Sequence, residues 1–317
     1  MYWHGDTETG VRHEALFYSN TDELLAGALP FVEAGLEAGE AIRVAVPRAS
    51  RLPLEDALGP LAGERLSFAK MEELGRNPAR IIPAWRHFLE AAEREGVGAR
   101  GIGEPIWAGR SQAELEECER HEALLNLAFA GAPRWTLMCP YNTELGDAVL
   151  DRAARNHPFL REGAEVACSG PYGPALSTRQ VFAGGLEPPA ETPAELPFDA
   201  AGLSRVRQVV AEFAAAVPLS SRRTEDVVLA TNELATNSIR HGGGDGILRI
   251  WREPSGLVCE VRDRGLFSDP LVGRVRPEAD QLGGRGLWIV NQTCDLVQIR
   301  SAAEAGSVVR LRASARP

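Results

Sequence analysis

Glu233 and Asn237 stand four residues apart in the stretch NELATNSIRHG, residues 232–242, so a helix would place both side chains on one face. A carboxylate can accept a proton or orient a nucleophile, and an amide oxygen can bind Mg²⁺. Arg240 and His241 follow directly before a run of glycines, where they could contact phosphate groups. The same spacing is common on solvated helix faces, so this stretch alone does not define a site.

Asp263 lies at the end of an extended run, in the stretch LVCEVRDRG of residues 257–265. Side chains alternate along a strand, so its carboxylate shares a face with Leu257, Cys259 and Val261, which are all apolar. A carboxylate at the end of a buried apolar row needs a hydrogen-bond donor, because burying it unpaired is costly. The exocyclic amine of an adenine base would serve, and so would the backbone N–H of the following turn at Gly265.

Glycines precede an apolar helical stretch in GGRGLWIV, residues 283–290. Free amides at a helix N-terminus bind anions, and glycine lets a ligand approach the backbone closely. The chain contains no G-x-x-x-x-G-K-[ST] stretch, which excludes a P-loop, and the glycines follow an irregular loop rather than a strand, which argues against a Rossmann site. A plain glycine-rich loop is the alternative.

The elements that must position these residues form a pattern of their own. Helices over about 203–217 and 222–241 precede two extended runs, a loop that reaches residue 284, a short helix and a closing hairpin. Helices beside a mostly antiparallel sheet predict an α+β sandwich. In the hairpin, Ser307 shares a face with Val309 and Leu311, so its hydroxyl could reach a polar group of a bound base or be satisfied locally.

The order NELATNSIRHG, DRG and GGRGLWIV resembles the N, G1 and G2 boxes of the GHKL ATPase superfamily. The anti-sigma-factor serine/threonine kinase branch is the most similar, and the resemblance covers about residues 198–313. It implies the Bergerat ATP-binding fold, with ATP and Mg²⁺ as cofactors. Glu233 would be the catalytic base, Asn237 would bind Mg²⁺ and Asp263 would hold adenine. The expected nucleotide-binding residues are Asn237, Arg240, His241, Asp263, Gly265, Gly284, Arg285, Gly286, Leu287 and Ser307.

One position departs from the pattern of that superfamily. The G1 box usually reads D-x-G-x-G, whereas this chain has Phe267 at the second glycine. That glycine eases the turn into the lid over the nucleotide, which would span about residues 268–283. The phenylalanine favours a protein that binds nucleotide without strong kinase activity.

The resemblance implies a regulator that phosphorylates a serine or threonine of an anti-sigma antagonist of the STAS type and otherwise holds a sigma factor. Two alternatives remain: a non-catalytic nucleotide-binding partner-switching module and a sensor histidine kinase. The last is disfavoured because residues 170–230 contain no histidine to accept a phosphoryl group. Relatives in this branch are often dimers, so a homodimer is expected from the resemblance.

The first half of the chain alternates short apolar runs with longer amphipathic ones, which predicts an α/β fold with a mainly parallel sheet. The stretches HEALFYSNTDELLAGALPFVEAGLEAGE, NPARIIPAWRHFLEA, GIGEPIWAGRSQAELEECERHEALLN and LMCPYN resemble the MEDS sensory domain of DcmR-like regulators. That resemblance implies a RecA-like fold and a small organic ligand. Glu104, Trp107 and Arg110 are a candidate sensory pocket at a strand end, with an ion pair over a core tryptophan as the alternative.

Cys118 and His121 lie three residues apart on a predicted helix of the same half, which could begin a metal site. His13 and Cys139 lie elsewhere, and no second clear ligand pair is visible, whereas a structural zinc site wants four ligands. A buried cysteine beside a histidine on the helix surface is the favoured interpretation.

Composition gives the limits of these expectations. The 317 residues predict a sensory domain over 12–165, a Pro/Gly-rich linker over 166–200 and an ATPase domain over 201–315. The net charge of −10 disfavours a nucleic-acid partner. No apolar run of the length of a membrane span and no secretory leader is present, and the five scattered cysteines suit a reduced, cytoplasmic protein without a membrane partner.

Overall fold

The computed structural model describes residues 11–61, 63–132, 135–173, 178–189, 191–254, 256–278 and 284–314. The chain divides after residue 175 into two compact units. Among the described residues, no helix combines the length and the apolar character needed to cross a bilayer.

The N-terminal unit alternates strands and helices, as the sequence predicts. Its elements are β1 Val11–Tyr18, α1 Thr21–Glu37, β2 Ala41–Val46, α2 Arg48–Leu58, β3 Leu66–Lys70, α3 Met71–Leu74, α4 Ile81–Arg94, β4 Ala99–Gly103, α5 Gln112–Ala128, β5 Trp135–Asn142, α6 Asp147–Asn156, β6 Phe159–Glu162 and β7 Glu165–Cys168. The strands form one sheet in the order β3-β2-β4-β5-β1-β6-β7. All neighbours run parallel except β6 and β7, which are antiparallel.

The centre of this sheet is the pair β1 and β5, which is in register from Val11 beside Trp135 to Tyr18 beside Asn142. The strands are buried on both faces, as is usual for a parallel sheet whose crossovers are helices. Helix α6 packs on β1, and α5 packs on α6. Polar side chains are nevertheless buried here: His13 and Glu14 of β1 are both 0 % exposed.

The C-terminal unit is a layer of helices on an antiparallel sheet. Its elements are α7 Thr178–Val181, β8 Ala194–Asp199, α8 Leu203–Ala215, α9 Ser221–His241, β9 Asp245–Glu253, β10 Gly256–Asp263, α10 Arg285–Thr293, β11 Leu296–Ala302 and β12 Gly306–Ser314. The strand order is β11-β12-β10-β9-β8, and every pair is antiparallel. Apolar residues of α8, α9 and α10 form one core with those of the strands. The predicted parallel sheet and the separate sheet-and-helix half are therefore both confirmed.

The segment 166–200, predicted as a linker, contains more structure than its prolines and glycines suggest. It holds the end of β7, the short α7 and all of β8. Pro197 is tolerated because β8 is the edge strand of its sheet, where a missing backbone donor breaks no ladder. The C-terminal unit thus begins before residue 201.

Candidate functional site

Helix α9 carries the first motif. Its start is capped by Ser220, whose side chain accepts from the N–H of Arg223. One stripe of the helix is buried in the core: Val227, Ala230, Thr231, Leu234, Ala235 and Ser238. Glu233 and Asn237 lie beside this stripe and are half-buried, whereas Asn232 faces α8, where it accepts from Arg207 at 2.9 Å. The helix therefore presents the carboxylate and one amide together, as their spacing predicts.

The N-terminus of α10 packs against this face of α9 at Gly286. A Cβ atom on Gly286 would lie 2.9 Å from Oε2 of Glu233 and 3.2 Å from Nδ2 of Asn237, so only glycine fits without displacing these side chains. The helix follows Gly284, which has a φ of 75° and provides no side-chain cap. The first N–H groups of α10 are consequently close to Glu233 and Asn237 and available to an anion.

Asp263 at the end of β10 is held by three donors. Its Oδ1 accepts from the N–H of Gly265 at 2.8 Å and from the hydroxyl of Ser307 at 2.7 Å. Its Oδ2 accepts from the hydroxyl of Ser238 at 2.6 Å. The sequence predicts roles for Gly265 and Ser307 but none for Ser238, whose only signal is a hydroxyl on the mostly apolar stripe of α9. The carboxylate is fixed by α9, the turn after β10 and β12 together.

The end of α9 meets Asp263 through Gly242. A Cβ atom there would lie 2.7 Å from both Cβ and Oδ2 of Asp263, so any larger residue would displace the carboxylate. The next backbone segment is equally close, because the N–H of Arg264 donates to the carbonyl of Gly242 at 3.0 Å. The C-terminus of α9 and the turn after β10 thus pack closely and are joined by a hydrogen bond.

A pocket of about 310 Å³ opens between these elements, a size within the range of small-molecule sites. Of the expected nucleotide-binding residues, Arg240 and Arg285 are exposed and do not line it, and Arg285 donates to the carbonyl of Glu278. Glu233 is not among the residues that line the pocket, but its Oε2 lies against Gly286, which does. The structure brings the other expected residues together on the wall: Asn237, His241, Asp263, Gly265, Gly284, Gly286, Leu287 and Ser307.

The candidate sensory residues of the N-terminal unit take part in two separate sets of contacts. Glu104 follows β4 and accepts from the hydroxyl of Tyr18 at 2.7 Å, and burial raises the pKa of this carboxyl to about 7. Arg110 lies over the ring of Trp107, 3.7 Å from its centroid, and donates to the carbonyl of Pro105 at 2.6 Å. The structure therefore does not bring Glu104 and Arg110 together as an ion pair.

The prediction of a buried cysteine is confirmed for Cys118, whereas the prediction of a surface histidine is wrong for His121. Cys118 is buried, with its thiol 3.3 Å from the carbonyl of Pro105. His121, expected on the helix surface, is only 1 % exposed. The reason is that α5 is buried over most of its circumference, charged residues such as Glu117 included, so the polar positions do not mark its solvent face.

Comparison with known families agrees with this geometry. Residues 196–313 match the family model of the histidine kinase-like ATPase domain. Residues 12–158 match the model described as MEDS, the methanogen/methylotroph, DcmR sensory domain. No curated protein matches the chain. The chain thus combines an N-terminal MEDS domain with a C-terminal ATPase domain of the GHKL-like type.

The residues of the ATPase domain fit a nucleotide. A carboxylate offers about four acceptor positions, and the three donors on Asp263 leave it able to accept from an adenine amine. The uncapped start of α10 suits phosphates. Within the described residues, the amide of Asn237 has no hydrogen-bond partner, so its oxygen is available to hold Mg²⁺. Geometry and family together support ATP binding in this pocket.

Phe267, the departure from the usual G1 box, is accommodated without strain. No described non-glycine residue has a positive φ, so the backbone at Phe267 does not require glycine. Its ring packs on that of Phe182, with centroids 5.6 Å apart, and on the core of the ATPase domain. Its N–H donates to the hydroxyl of Ser301 at 3.2 Å. The lid predicted at residues 268–283 lies partly outside the described residues, at 279–283.

Proposed function

We propose that this protein is a sensor-coupled anti-sigma factor with serine/threonine kinase activity. It would use Mg·ATP to phosphorylate a STAS-type antagonist in the cytoplasm and so control the release of a sigma factor. The observation that carries the proposal is Glu233, which lies one helical turn from Asn237 and against the start of α10. A non-catalytic ATPase domain would need the glycines and Asp263 but no carboxylate at this position.

The proposed chemistry assigns one task to each side chain. Glu233 accepts the proton of the attacking serine or threonine hydroxyl, whose oxygen bonds to the γ-phosphorus while the bond to the β-phosphate oxygen breaks and ADP leaves. Asn237 and the N–H groups of α10 hold the phosphates in line for this attack. Mg²⁺ would supply charge neutralisation on the phosphates. Asp263 fixes the orientation of the base.

The MEDS domain would supply the input to this kinase. A small organic ligand is proposed for it, with Glu104, Trp107 and Arg110 near the recognition site. A homodimer is proposed from the resemblance to the anti-sigma branch. These parts of the proposal rest on family resemblance, whereas the kinase assignment also rests on the position of Glu233.

Nucleotide binding is tested first, by thermal shift of the full chain with Mg·ATP. The wild type is expected to gain stability, and Asn237→Ala to gain much less. Asn232→Ala is the matched control, because Asn232 lies on the same helix but faces Arg207. Absence of any thermal shift in the wild type would rule out both the kinase hypothesis and the hypothesis of a nucleotide-dependent binding module.

Phosphoryl transfer is tested with labelled ATP and candidate STAS-type antagonists. Label should appear on a serine or threonine of the antagonist, and Glu233→Gln should abolish transfer while ATP binding persists. Glu225→Gln, an exposed change on the same helix, should leave transfer intact. ATP binding without transfer would instead support the alternative, a nucleotide-binding partner-switching module, which Phe267 on the pocket wall favours.

A further inference from the structure

Four side chains with metal-binding atoms meet in the interior of the MEDS domain. They are His13 of β1, Glu122 of α5, Cys139 of β5 and His157, which ends α6, and each is at most 1 % exposed. The register of β1 and β5 sets Ala15 beside Cys139, so His13 and Cys139 project from the same face of the sheet. One ligand atom from each of the four residues lies within 4.8 Å of all the others.

The outer nitrogens of both histidines are held by oxygen acceptors. Nδ1 of His157 lies 2.7 Å from the carbonyl of Ala153, and Nδ1 of His13 lies 3.2 Å from Oδ1 of Asn126. The orientation of the Asn126 amide is fixed, because its Nδ2 donates to the carbonyl of Asn156 at 2.8 Å. Each Nδ1 therefore carries a hydrogen. When the ring is neutral, its Nε2 has no hydrogen and directs a lone pair into the cluster.

Those lone pairs face other electron-rich atoms. Nε2 of His13 lies 3.4 Å from Oε2 of Glu122 and 3.3 Å from Sγ of Cys139, and Nε2 of His157 lies 3.3 Å from the same carboxylate oxygen. Within the described part of the chain, neither oxygen of Glu122 has a hydrogen-bond partner, and neither has Nε2 of His157. A cation among these buried groups, either a metal ion or a proton on one imidazole, would relieve the repulsion between them.

We propose that His13, Glu122, Cys139 and His157 bind one Zn²⁺ ion. With bonds of about 2.0–2.3 Å, ligand atoms of a tetrahedral zinc site lie roughly 3.3–3.7 Å apart, which the three distances above match. The remaining separations, all within 4.8 Å, close with side-chain shifts of about 1 Å. A thiolate and a carboxylate balance the charge of Zn²⁺, so the buried site is neutral.

The site would be structural rather than catalytic. Four protein donors complete a tetrahedral shell and leave no open position for a substrate. The ligands come from two central strands, α5 and the end of α6, so the ion would join elements that are distant in sequence. The carbonyl of Ala153 and the amide of Asn126 orient the two imidazoles from behind, as is usual for zinc-bound histidines. This proposal is independent of the nucleotide site.

The test is elemental analysis of the full-length protein after removal of any affinity tag. About one zinc ion per chain is expected, and Cys139→Ser and His157→Gln should each reduce it to background. Cys118→Ser is the matched control: it removes another buried thiol, on α5, that contacts the carbonyl of Pro105 instead. Zinc retained in both ligand variants would place the metal elsewhere and overturn the proposal.

Cobalt substitution of the wild-type chain covers the case in which the ligand variants do not fold. Co²⁺ added to metal-free protein should produce the visible bands of tetrahedral coordination together with a thiolate-to-metal charge-transfer band. The absence of zinc from the purified protein, together with no stoichiometric uptake of Co²⁺ or Zn²⁺, would show that the four side chains form a metal-free polar cluster.

Discussion

The hydroxyl of Ser238 in α9 donates a hydrogen bond of 2.6 Å to Oδ2 of Asp263 at the end of β10. Ser238 is completely buried, so this contact joins the core stripe of α9 to the wall of the nucleotide pocket. Asp263, which is proposed to bind the adenine base, is thereby positioned by the same helix that carries Glu233 and Asn237.

Removal of this contact by Ser238→Ala should weaken both stability and nucleotide binding. A hydrogen bond to a charged group contributes about 1.5–3 kcal/mol, so the free energy of unfolding should fall by about that amount. ATP affinity should fall about fivefold, equivalent to roughly 1 kcal/mol, because Asp263 loses one of its orienting donors. Thr236→Ala is the control, since that hydroxyl donates to the carbonyl of Asn232 within the helix. Urea unfolding measures the change in stability, and calorimetric titration measures the change in ATP affinity. An unchanged ATP affinity would show that Ser238 does not contribute to nucleotide binding.

Gly286→Ala should impair the nucleotide site without unfolding the domain. The added methyl would lie 2.9 Å from Oε2 of Glu233, so that carboxylate or α10 must move. Alanine favours a helix over glycine by about 1 kcal/mol, so global stability should change little, whereas ATP affinity should drop at least about tenfold. At Gly185 a Cβ atom meets nothing within 4 Å, which makes Gly185→Ala the control. Equal ATP affinity in Gly286→Ala and the wild type would contradict the tight approach of α10 to α9.

Restoring the usual glycine by Phe267→Gly should not improve the site. Because Phe267 has no positive φ and packs on Phe182, the change removes aromatic packing and relieves no strain. The free energy of unfolding should fall by about 2–3 kcal/mol, and ATP affinity should not increase. Chemical unfolding and ATP titration of the variant beside Phe182→Ala, which removes the same ring contact from the other side, give the comparison. Tighter ATP binding with unchanged stability would show that Phe267 obstructs the nucleotide.

Glu104 should make the stability of the MEDS domain depend on pH. Burial, aided by the nearby charge of Glu72 and opposed by hydrogen bonds from Ser50 and Tyr18, raises the pKa of Glu104 from 4.5 to about 7. The fold therefore favours the protonated acid. The contribution of protonated Glu104 to the free energy of unfolding is complete below its pKa in the unfolded chain. This contribution is lost as the pH rises through its pKa in the folded protein. At roughly 1.4 kcal/mol per unit, this loss amounts to about 3 kcal/mol.

The variant Glu104→Gln should lack this loss, so its stability relative to wild type should increase between about pH 4.5 and pH 7 and then level off. Urea unfolding at a series of pH values measures the difference, and Glu93→Gln, an exposed change on α4, supplies the control. A difference that does not vary with pH would show that folding does not raise the pKa of Glu104.

The local patterns of the sequence predict much of this molecule. The alternation of apolar runs identifies the strands and helices of the MEDS domain, and the spacing of Glu233 and Asn237 predicts their common face. The strand order was not predictable, because parallel strands pair through crossovers whose destinations leave no local trace in the sequence. Ser238 was missed for a similar reason: its partner Asp263 lies 25 residues away, in another element.

The buried polar cluster of the MEDS domain illustrates the same limit. Cys118 and His121 have a spacing that attracts attention, yet the cluster uses Glu122 and Cys139 instead. Four residues spread from 13 to 157 meet only after β1 and β5 have paired and α5 and α6 have packed on each other. Hydrophobic periodicity predicts a surface position for a charged residue, and Glu122 is buried because the partners that accommodate it come from other elements.

The edge position of β8 decides how the ATPase domain can be separated from the rest of the chain. A fragment beginning at residue 201 would lack β8, so the edge of β9 that pairs with β8 from Asp245 to Ile250 would become open. It would also lose Phe182 from the ring of Phe267. An open edge of this kind recruits strands from other molecules, so such a fragment would tend to self-associate and precipitate. A fragment that keeps residues from 176 onward retains β8 as its edge strand, where Pro197 offers no backbone donor to another molecule, and should remain dispersed.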